Sequence, residues 1–188
     1  MANLLAALAR DPNIGTIDIF AHSMGNWVTM ETLRQLAIAN DRKTMSRLGT
    51  IVLAAPDVDM DVFRTQIARL GPLTSHMSLY ASKDDYALEA SRRLFGGKIR
   101  AGENTDLAQF GALGISAHDL SGVTGGFGHN HTKALSDAAT IASIGGMINH
   151  NPPGQGQDGL AGSFTKLEHS AVDASRKLLL APTQPGAQ

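Results

Sequence analysis

The hydrophobic residues of this chain follow two alternating patterns. Short apolar runs rich in β-branched residues predict buried strands, and longer stretches with an apolar side chain every three or four positions predict amphipathic helices. The predicted strands are residues 16–22, 50–55, 77–81 and 115–120. The predicted helices are residues 3–10, 25–39, 62–70, 85–95 and a last one that ends near 147. Strands that alternate with helices indicate an α/β fold, here a three-layer α/β/α sandwich with a mostly parallel sheet.

Two of these helices supply the predicted core on their apolar stripes. Asp61 is placed to cap the helix at 62–70, and Gly71-Pro72 ends it. The side chains that we expect to be buried are Trp27, Met30, Leu33, Leu36, Phe63, Ile67 and Leu70. Stripes of this kind face the sheet in an α/β domain.

The strand and helix pattern is confined to residues 1–149, which we interpret as one domain. Residues 150–162 are rich in Gly, Pro and Gln, which is typical of a flexible linker. The segment Thr165-Lys-Leu-Glu168 has the form of a capping box and predicts a C-terminal helix over 163–180. We expect the tail at 181–188 to be disordered.

A serine stands at the junction between the first predicted strand and the helix that follows. Ser23 has Ala21 two positions before it and Gly25 two positions after it. A strand, a sharp turn with serine at its apex and a helix form a nucleophile elbow, where small neighbours are expected because the strand and helix pass close together. The turn would expose the hydroxyl and direct the first N–H groups of the helix, with that of Met24 among them, at an oxyanion. The alternative is an ordinary turn in which Ser23 only caps the helix.

Composition narrows the classes of function. The 188 residues carry a formal net charge of −1, which gives no electrostatic ground for binding nucleic acid or an anionic membrane. The absence of cysteine excludes disulfides, a thiol nucleophile and thiolate zinc sites. No apolar run is long enough to span a bilayer. The first ten residues lack the basic start of a signal peptide, so we expect a cytoplasmic location.

Polar candidates for catalysis follow three of the four predicted strands. Ser23 follows the first, Asp84 and Asp85 follow the third, and His129 lies in a glycine-rich loop after the fourth. Functional groups of an open parallel sheet collect beyond the carboxyl ends of its strands, so we expect these side chains to converge. The chain order Ser, Asp, His is that of α/β-hydrolases.

The sequence resembles the α/β-hydrolase superfamily and, more narrowly, a bacterial family of α/β-hydrolases of unknown function. The resemblance spans about residues 15–130 and fades after His129. It lies in Ala21-His-Ser-Met-Gly-Asn-Trp27, in Leu53-Ala-Ala-Pro-Asp-Val-Asp-Met-Asp-Val-Phe63, in Leu79-Tyr-Ala-Ser-Lys-Asp-Asp-Tyr-Ala-Leu88 with Leu94-Phe-Gly-Gly97, and in Gly128-His129. It implies that Ser23 is the nucleophile, the aspartate before the helix (Asp85) the acid and His129 the base. No cofactor is implied.

The resemblance also implies a truncated fold. An α/β-hydrolase sheet has about eight strands, and the resembling segment begins just before the fifth. The absent half normally supplies the second N–H of the oxyanion hole. The first predicted strand would then be an apolar edge of the sheet, and such edges pair with other strands. We therefore expect a homo-oligomer, formed by strand pairing or through the C-terminal helix.

Alternatives remain for the acid and the base. Asp84 could replace Asp85 through a shift of one residue, and Asp57, after the second strand, stands where some hydrolases place the acid. His131 is the alternative base. His22 is expected to pack beside the elbow rather than to act as the base. We expect the other histidines (His76, His118, His150 and His169) to be surface or hydrogen-bonded side chains.

Two short patterns that could suggest a metal site lack essential ligands. The run Asp57-x-Asp59-x-Asp61 has neither the glycine nor the distal glutamate of a calcium loop, so we interpret it as turn and cap chemistry. The pair His129-x-His131 has no third ligand at a convincing spacing. We predict no metal.

The predicted function is hydrolysis of carboxylic esters, with short acyl chains favoured, by a Ser-His-Asp triad through an acyl-enzyme. Two alternatives stay open. One is a non-catalytic interaction module that keeps the elbow as part of the fold, and the other is a thioesterase or peptidase on the same triad.

Overall fold

Four parallel strands, hydrogen-bonded in chain order, form a sheet in the computed structural model, which describes residues 1–123 and 130–150. The strands are β1 (Ile17–His22), β2 (Leu48–Ala54), β3 (Met77–Ala81) and β4 (Ser116–Asp119). All four predicted strands are confirmed, each to within two residues at either end. The predicted linker, C-terminal helix and tail lie, from residue 151 onward, outside the described residues.

The helices predicted from periodicity are also present. They are α1 (Ala2–Arg10), α2 (Met24–Ile38), α4 (Met60–Ile67), α5 (Tyr86–Leu94) and α8 (Ala138–His150). Shorter helical segments were not predicted because they have too few turns to show a period. They are α3 (Arg42–Met45), α6 (Leu107–Ala112), α7 (Lys133–Ser136) and the 3₁₀ segments Gly71–His76 and Ala101–Glu103.

Helices cover both faces of the sheet. Successive strand residues point to opposite faces. Met77 and Leu79 of β3 enter the main core with the apolar sides of α1, α2, α4 and α6. Ser78 points the other way, and its hydroxyl lies 3.4 Å from the sulfur of Met147 in α8. The three-layer α/β/α class predicted from the sequence is therefore confirmed.

The buried stripe of α2 differs from the predicted one at its first turn. Met30, Leu33 and Leu36 are buried as expected, but Trp27 is 46% exposed and does not belong to the core. The position that faces inward in this turn is Asn26, which is fully buried. Since the stripe follows a helical period of 3.6 residues from Asn26 to Met30 and Leu33, Trp27 falls outside it.

Helix α4 has the predicted core face but a different cap residue. Its predicted core side chain Phe63 is fully buried, as are Ile67 and the following Leu70 to within a few per cent. The cap, however, is Asp59 and not Asp61, because the Asp59 carboxylate accepts hydrogen bonds from the N–H groups two and three residues on. Asp61 lies in the first turn and forms ion pairs with Arg64 and Lys98.

Candidate active site

Ser23 lies in a strained turn between β1 and α2. Its backbone has φ 53° and ψ −127°, a region that residues other than glycine rarely adopt. Such a conformation costs about 1–3 kcal/mol and is concentrated at functional sites. Within the described residues the Ser23 hydroxyl makes no capping hydrogen bond to α2, although the residue occupies the cap position. Ser23 therefore does not cap α2 through its side chain, as it would in an ordinary capping turn.

The end of β2 and a buried amide hold this turn in place. The Ser23 N–H donates to the carbonyl of Ala54 at 3.1 Å, and the Asp57 N–H donates to the carbonyl of Ser23 at 3.3 Å. The side-chain amide of Asn26 donates to both carbonyls, at 3.0 Å to Ser23 and 2.9 Å to Ala54. Sequence reasoning missed this role, since a polar residue in an amphipathic helix gives no sign of whether it faces inward.

Gly25 does not have the steric role predicted for it. A Cβ added at this position would meet no atom within 4 Å in the described part of the chain. The expected close approach of strand and helix is therefore wrong at Gly25. Ala21 is buried, in keeping with the small residue expected before the serine.

An aspartate and a histidine meet beyond the ends of β3 and β4. The Nδ1 atom of His131 lies 2.7 Å from Oδ2 of Asp85. Oδ1 of the same carboxylate caps α5, accepting from the N–H groups of Ala87 at 3.1 Å and Leu88 at 3.0 Å. Asp85 is only 2% exposed, so its position is fixed by the helix that it caps. The Asp85–His131 pair leaves Nε2 of the imidazole for another partner.

His22, at the end of β1, contacts the histidine of this pair. Its Nε2–H donates to the backbone carbonyl of His131 at 3.0 Å, and the two rings pack with centroids 4.7 Å apart. Because His22 immediately precedes Ser23, the histidine that meets Asp85 is in contact with the strand that carries the serine. His22 thus packs on His131 beside the turn at Ser23, and the expectation that it is not the base stays a prediction.

The other two acid candidates are engaged elsewhere. Asp84 accepts a hydrogen bond from the Lys133 ammonium at 2.6 Å and another from the Ser82 hydroxyl. Partial burial alone would raise the pKa of Asp84, but the hydrogen bonds from Lys133 and Ser82 outweigh it and the pKa is lowered. Of the described carboxylates considered for the acid, Asp85 is the one that meets an imidazole.

Asp57 belongs to a buried ion pair. Its carboxylate accepts from the Ser91 hydroxyl at 2.8 and 2.9 Å and lies 3.3 Å from Nε of Arg100. These contacts engage the Asp57 carboxylate with Ser91 of α5 and with Arg100.

Histidines elsewhere have the roles expected of them where they are described. His76 hydrogen-bonds backbone carbonyls at the start of β2. His118 stacks on Tyr80. His129, the base implied by the resemblance, lies outside the described residues, as do His169 and the side chain of His150. Within residues 1–123 and 130–150, no group of three His, Asp or Glu side chains is arranged to hold a metal ion.

Comparison with known proteins gives one match. The model of a family described as alpha/beta hydrolase of unknown function (DUF900) matches residues 1–147. The match begins before residue 15 and includes Asn130-His-Thr-Lys133, so the expectation that the resemblance fades after His129 is wrong. No curated protein and no solved structure matched the chain. Of the helices that the structure describes, none has the length and apolar character to cross a membrane. The four-stranded sheet fits a truncated α/β-hydrolase fold, and by the extent of the family match the chain belongs to this family of α/β-hydrolases.

Proposed function

We propose that this protein is a serine hydrolase of carboxylic esters, with Ser23 as the nucleophile, His131 as the base and Asp85 as the acid. Membership of the family suggests a hydrolase, and the triad and the ester specificity are our proposal. The observation that carries the proposal is the hydrogen bond of 2.7 Å between Asp85 and His131. His131 also contacts His22, the residue that precedes Ser23, and Ser23 has a positive φ. His129 is the alternative base.

The proposed reaction begins with proton transfer from the Ser23 hydroxyl to Nε2 of His131 while the oxygen attacks the ester carbonyl. Asp85 accepts the Nδ1–H of His131 and stabilises the imidazolium. Met24 is the first residue of α2, and the first N–H groups of a helix lack partners within it, so the Met24 N–H is proposed to stabilise the oxyanion. The tetrahedral intermediate then collapses to an acyl-enzyme. The departing alcohol takes the proton from His131. His131 then takes a proton from water, which attacks the acyl-enzyme. This step releases the carboxylic acid product and restores the Ser23 hydroxyl.

Short acyl chains are the proposed substrates. Ser23 is only half-buried, and Met24 and Trp27 beside it are 60% and 46% exposed. An open apolar surface of this kind suits a small acyl group better than a long chain that needs an enclosed tunnel. Thioesters and amides use the same triad chemistry, so a panel of ester, thioester and amide substrates separates the reaction classes.

Labelling by a fluorophosphonate probe tests the nucleophile. We expect the wild-type protein to be labelled because the oxygen of a serine activated by a neighbouring base displaces fluoride from the probe and becomes phosphonylated. Ser23→Ala should abolish labelling. Ser46→Ala, at the end of α3 and exposed, is the matched control and should label like the wild type. Folded wild-type protein that takes up no label would favour the alternative of a non-catalytic interaction module.

Self-association through β1 is a second proposal, about the partner of this chain. In the described sheet β1 is an edge strand, and its Phe20 side chain is 40% exposed. We expect sedimentation at micromolar concentration to give a mass above that of a monomer. Phe20→Lys should shift the protein towards monomer, because a charged side chain blocks edge pairing. Val62→Lys, at 41% exposure on α4, should leave the mass unchanged. A monomeric wild type would end this proposal.

A further inference from the structure

Lys133 buries its ammonium group beside the candidate site. The side chain is 2% exposed, and Nζ donates to the Asp84 carboxylate at 2.6 Å, the Ser82 hydroxyl at 3.2 Å and the Leu120 carbonyl at 3.2 Å. The three acceptors come from the segment after β3 and from the end of β4. All three protons of the ammonium therefore have an acceptor. The lysine connects the segments that follow β3 and β4.

Lys133 is the last residue of a short segment, 130–133, that includes the proposed base His131. Lys133 follows His131 by two residues. The side-chain amide of Asn130, a residue with φ 67°, donates to the carbonyl of Asp84 at 3.1 Å. His131 itself meets Asp85. The side chains at both ends of the segment 130–133 and the imidazole between them thus contact the turn that holds the acid.

Burial of this charge needs an explanation beyond packing. Moving an ammonium out of water is costly, and an apolar side chain of similar volume would fill the same space without that cost. An apolar side chain, however, would not place a positive charge next to Asp84. Asp84 and Asp85 are adjacent, so without Lys133 the region around the imidazole would hold two carboxylates, and Asp84 would have no ion-pair partner among the described residues.

We propose that Lys133 is a positioning residue for the hydrolysis, which holds His131 against Asp85 and neutralises Asp84. The inference rests on the proposed function of His131 as the base. The proposed electrostatic effect of Lys133 on His131 depends on the charged groups of the described elements around the imidazole. The charged and titratable groups there are Asp84, Asp85, Lys133 and His22. Of these, Lys133 is the permanent cation, so its loss favours the imidazolium.

Lys133→Met tests both parts of the proposal on the whole chain. We expect kcat/KM for p-nitrophenyl acetate to fall roughly 10- to 100-fold, because a small displacement of a catalytic group has effects of this size. The acid limb of the pH profile should move up by about half a pH unit, since a nearby unpaired carboxylate stabilises the protonated base. In Lys133→Met with Asp84→Asn the limb should return towards the wild-type position. Lys98→Met, which removes an exposed lysine paired with Asp61, is the control and should change neither quantity.

NMR of the His131 ring provides a readout that does not depend on turnover. The resonance is assigned with His131→Gln, and its titration is followed in the wild type, Lys133→Met, the double variant and Lys98→Met. We expect the midpoint to rise in Lys133→Met and to return in the double variant. If the wild type proves inactive the proposed function fails, whereas the NMR titration still decides the role of Lys133.

A folded Lys133→Met protein with a wild-type pH profile and an unchanged His131 titration would overturn the proposal. If Lys133→Met does not fold, Asp84→Asn alone decides. That variant keeps the lysine bound to Ser82 and Leu120 but removes the neutralised carboxylate, so the His131 midpoint should fall. An unchanged midpoint in Asp84→Asn would equally overturn the proposal.

Discussion

Replacement of His131 by glutamine is expected to lower kcat/KM for a short-chain ester by about 10⁴-fold, because the proposed triad loses its base. Glutamine cannot take up the proton of the Ser23 hydroxyl, but its amide can still donate to Asp85. The fold should therefore survive, with a circular dichroism spectrum like that of the wild type. Initial rates with p-nitrophenyl acetate measure the effect.

His129→Gln is the matched control for that experiment. The two histidines are two residues apart, and the resemblance of Gly128-His129 implies His129 as the base, whereas the structure describes contacts for His131. We expect His129→Gln to keep most of the activity. The reverse result, loss in His129→Gln with activity kept in His131→Gln, would assign the base to His129.

Asp85→Asn is expected to lower kcat/KM by about 10³- to 10⁴-fold with little change in thermal stability. The asparagine oxygen can still cap α5, because Asn and Asp cap helices almost equally well. Its NH₂ group, however, donates where the carboxylate accepted the Nδ1–H of His131. The imidazole would then take the tautomer that cannot act as the base at Nε2. Rates at pH 7 and a melting curve for the same preparation separate the two effects.

Asp59→Asn controls for the cap. Asp59 accepts from the N–H groups two and three residues on, as Asp85 does, but it does so at the start of α4. This variant should have wild-type activity. Full activity in Asp85→Asn would show that the acid is another residue, and Asp84 and Asp57 would be tested next.

The fold was predictable from the sequence because the periods of buried strands and helices are local signals. The strands were located to within two residues, and the turn at Ser23 was located from the strand before it and the helix after it. The prediction failed for Trp27 because a window of apolar residues does not show that a buried asparagine occupies the inward position one residue earlier.

The remainder of the site depends on contacts between residues far apart in the chain. Asp85 and His131 are 46 residues apart, and the sequence predicts His129 rather than His131 because a resemblance carried by Gly128-His129 does not show which imidazole meets Asp85. Lys133 gave no signal, since a lysine among polar residues usually faces solvent. Its burial and its contacts follow from the fold, which places Ser82, Asp84 and Leu120 around it.

The carboxylate at position 85 caps α5 with one oxygen and meets His131 with the other. Natural or laboratory selection can therefore act on this single side chain in two separate ways. Selection for a stable fold alone would accept Asp, Asn, Ser or Thr at this position, since all of them cap helices. Selection for turnover would narrow the choice to aspartate, so the range of residues tolerated at position 85 records which pressure the lineage has experienced.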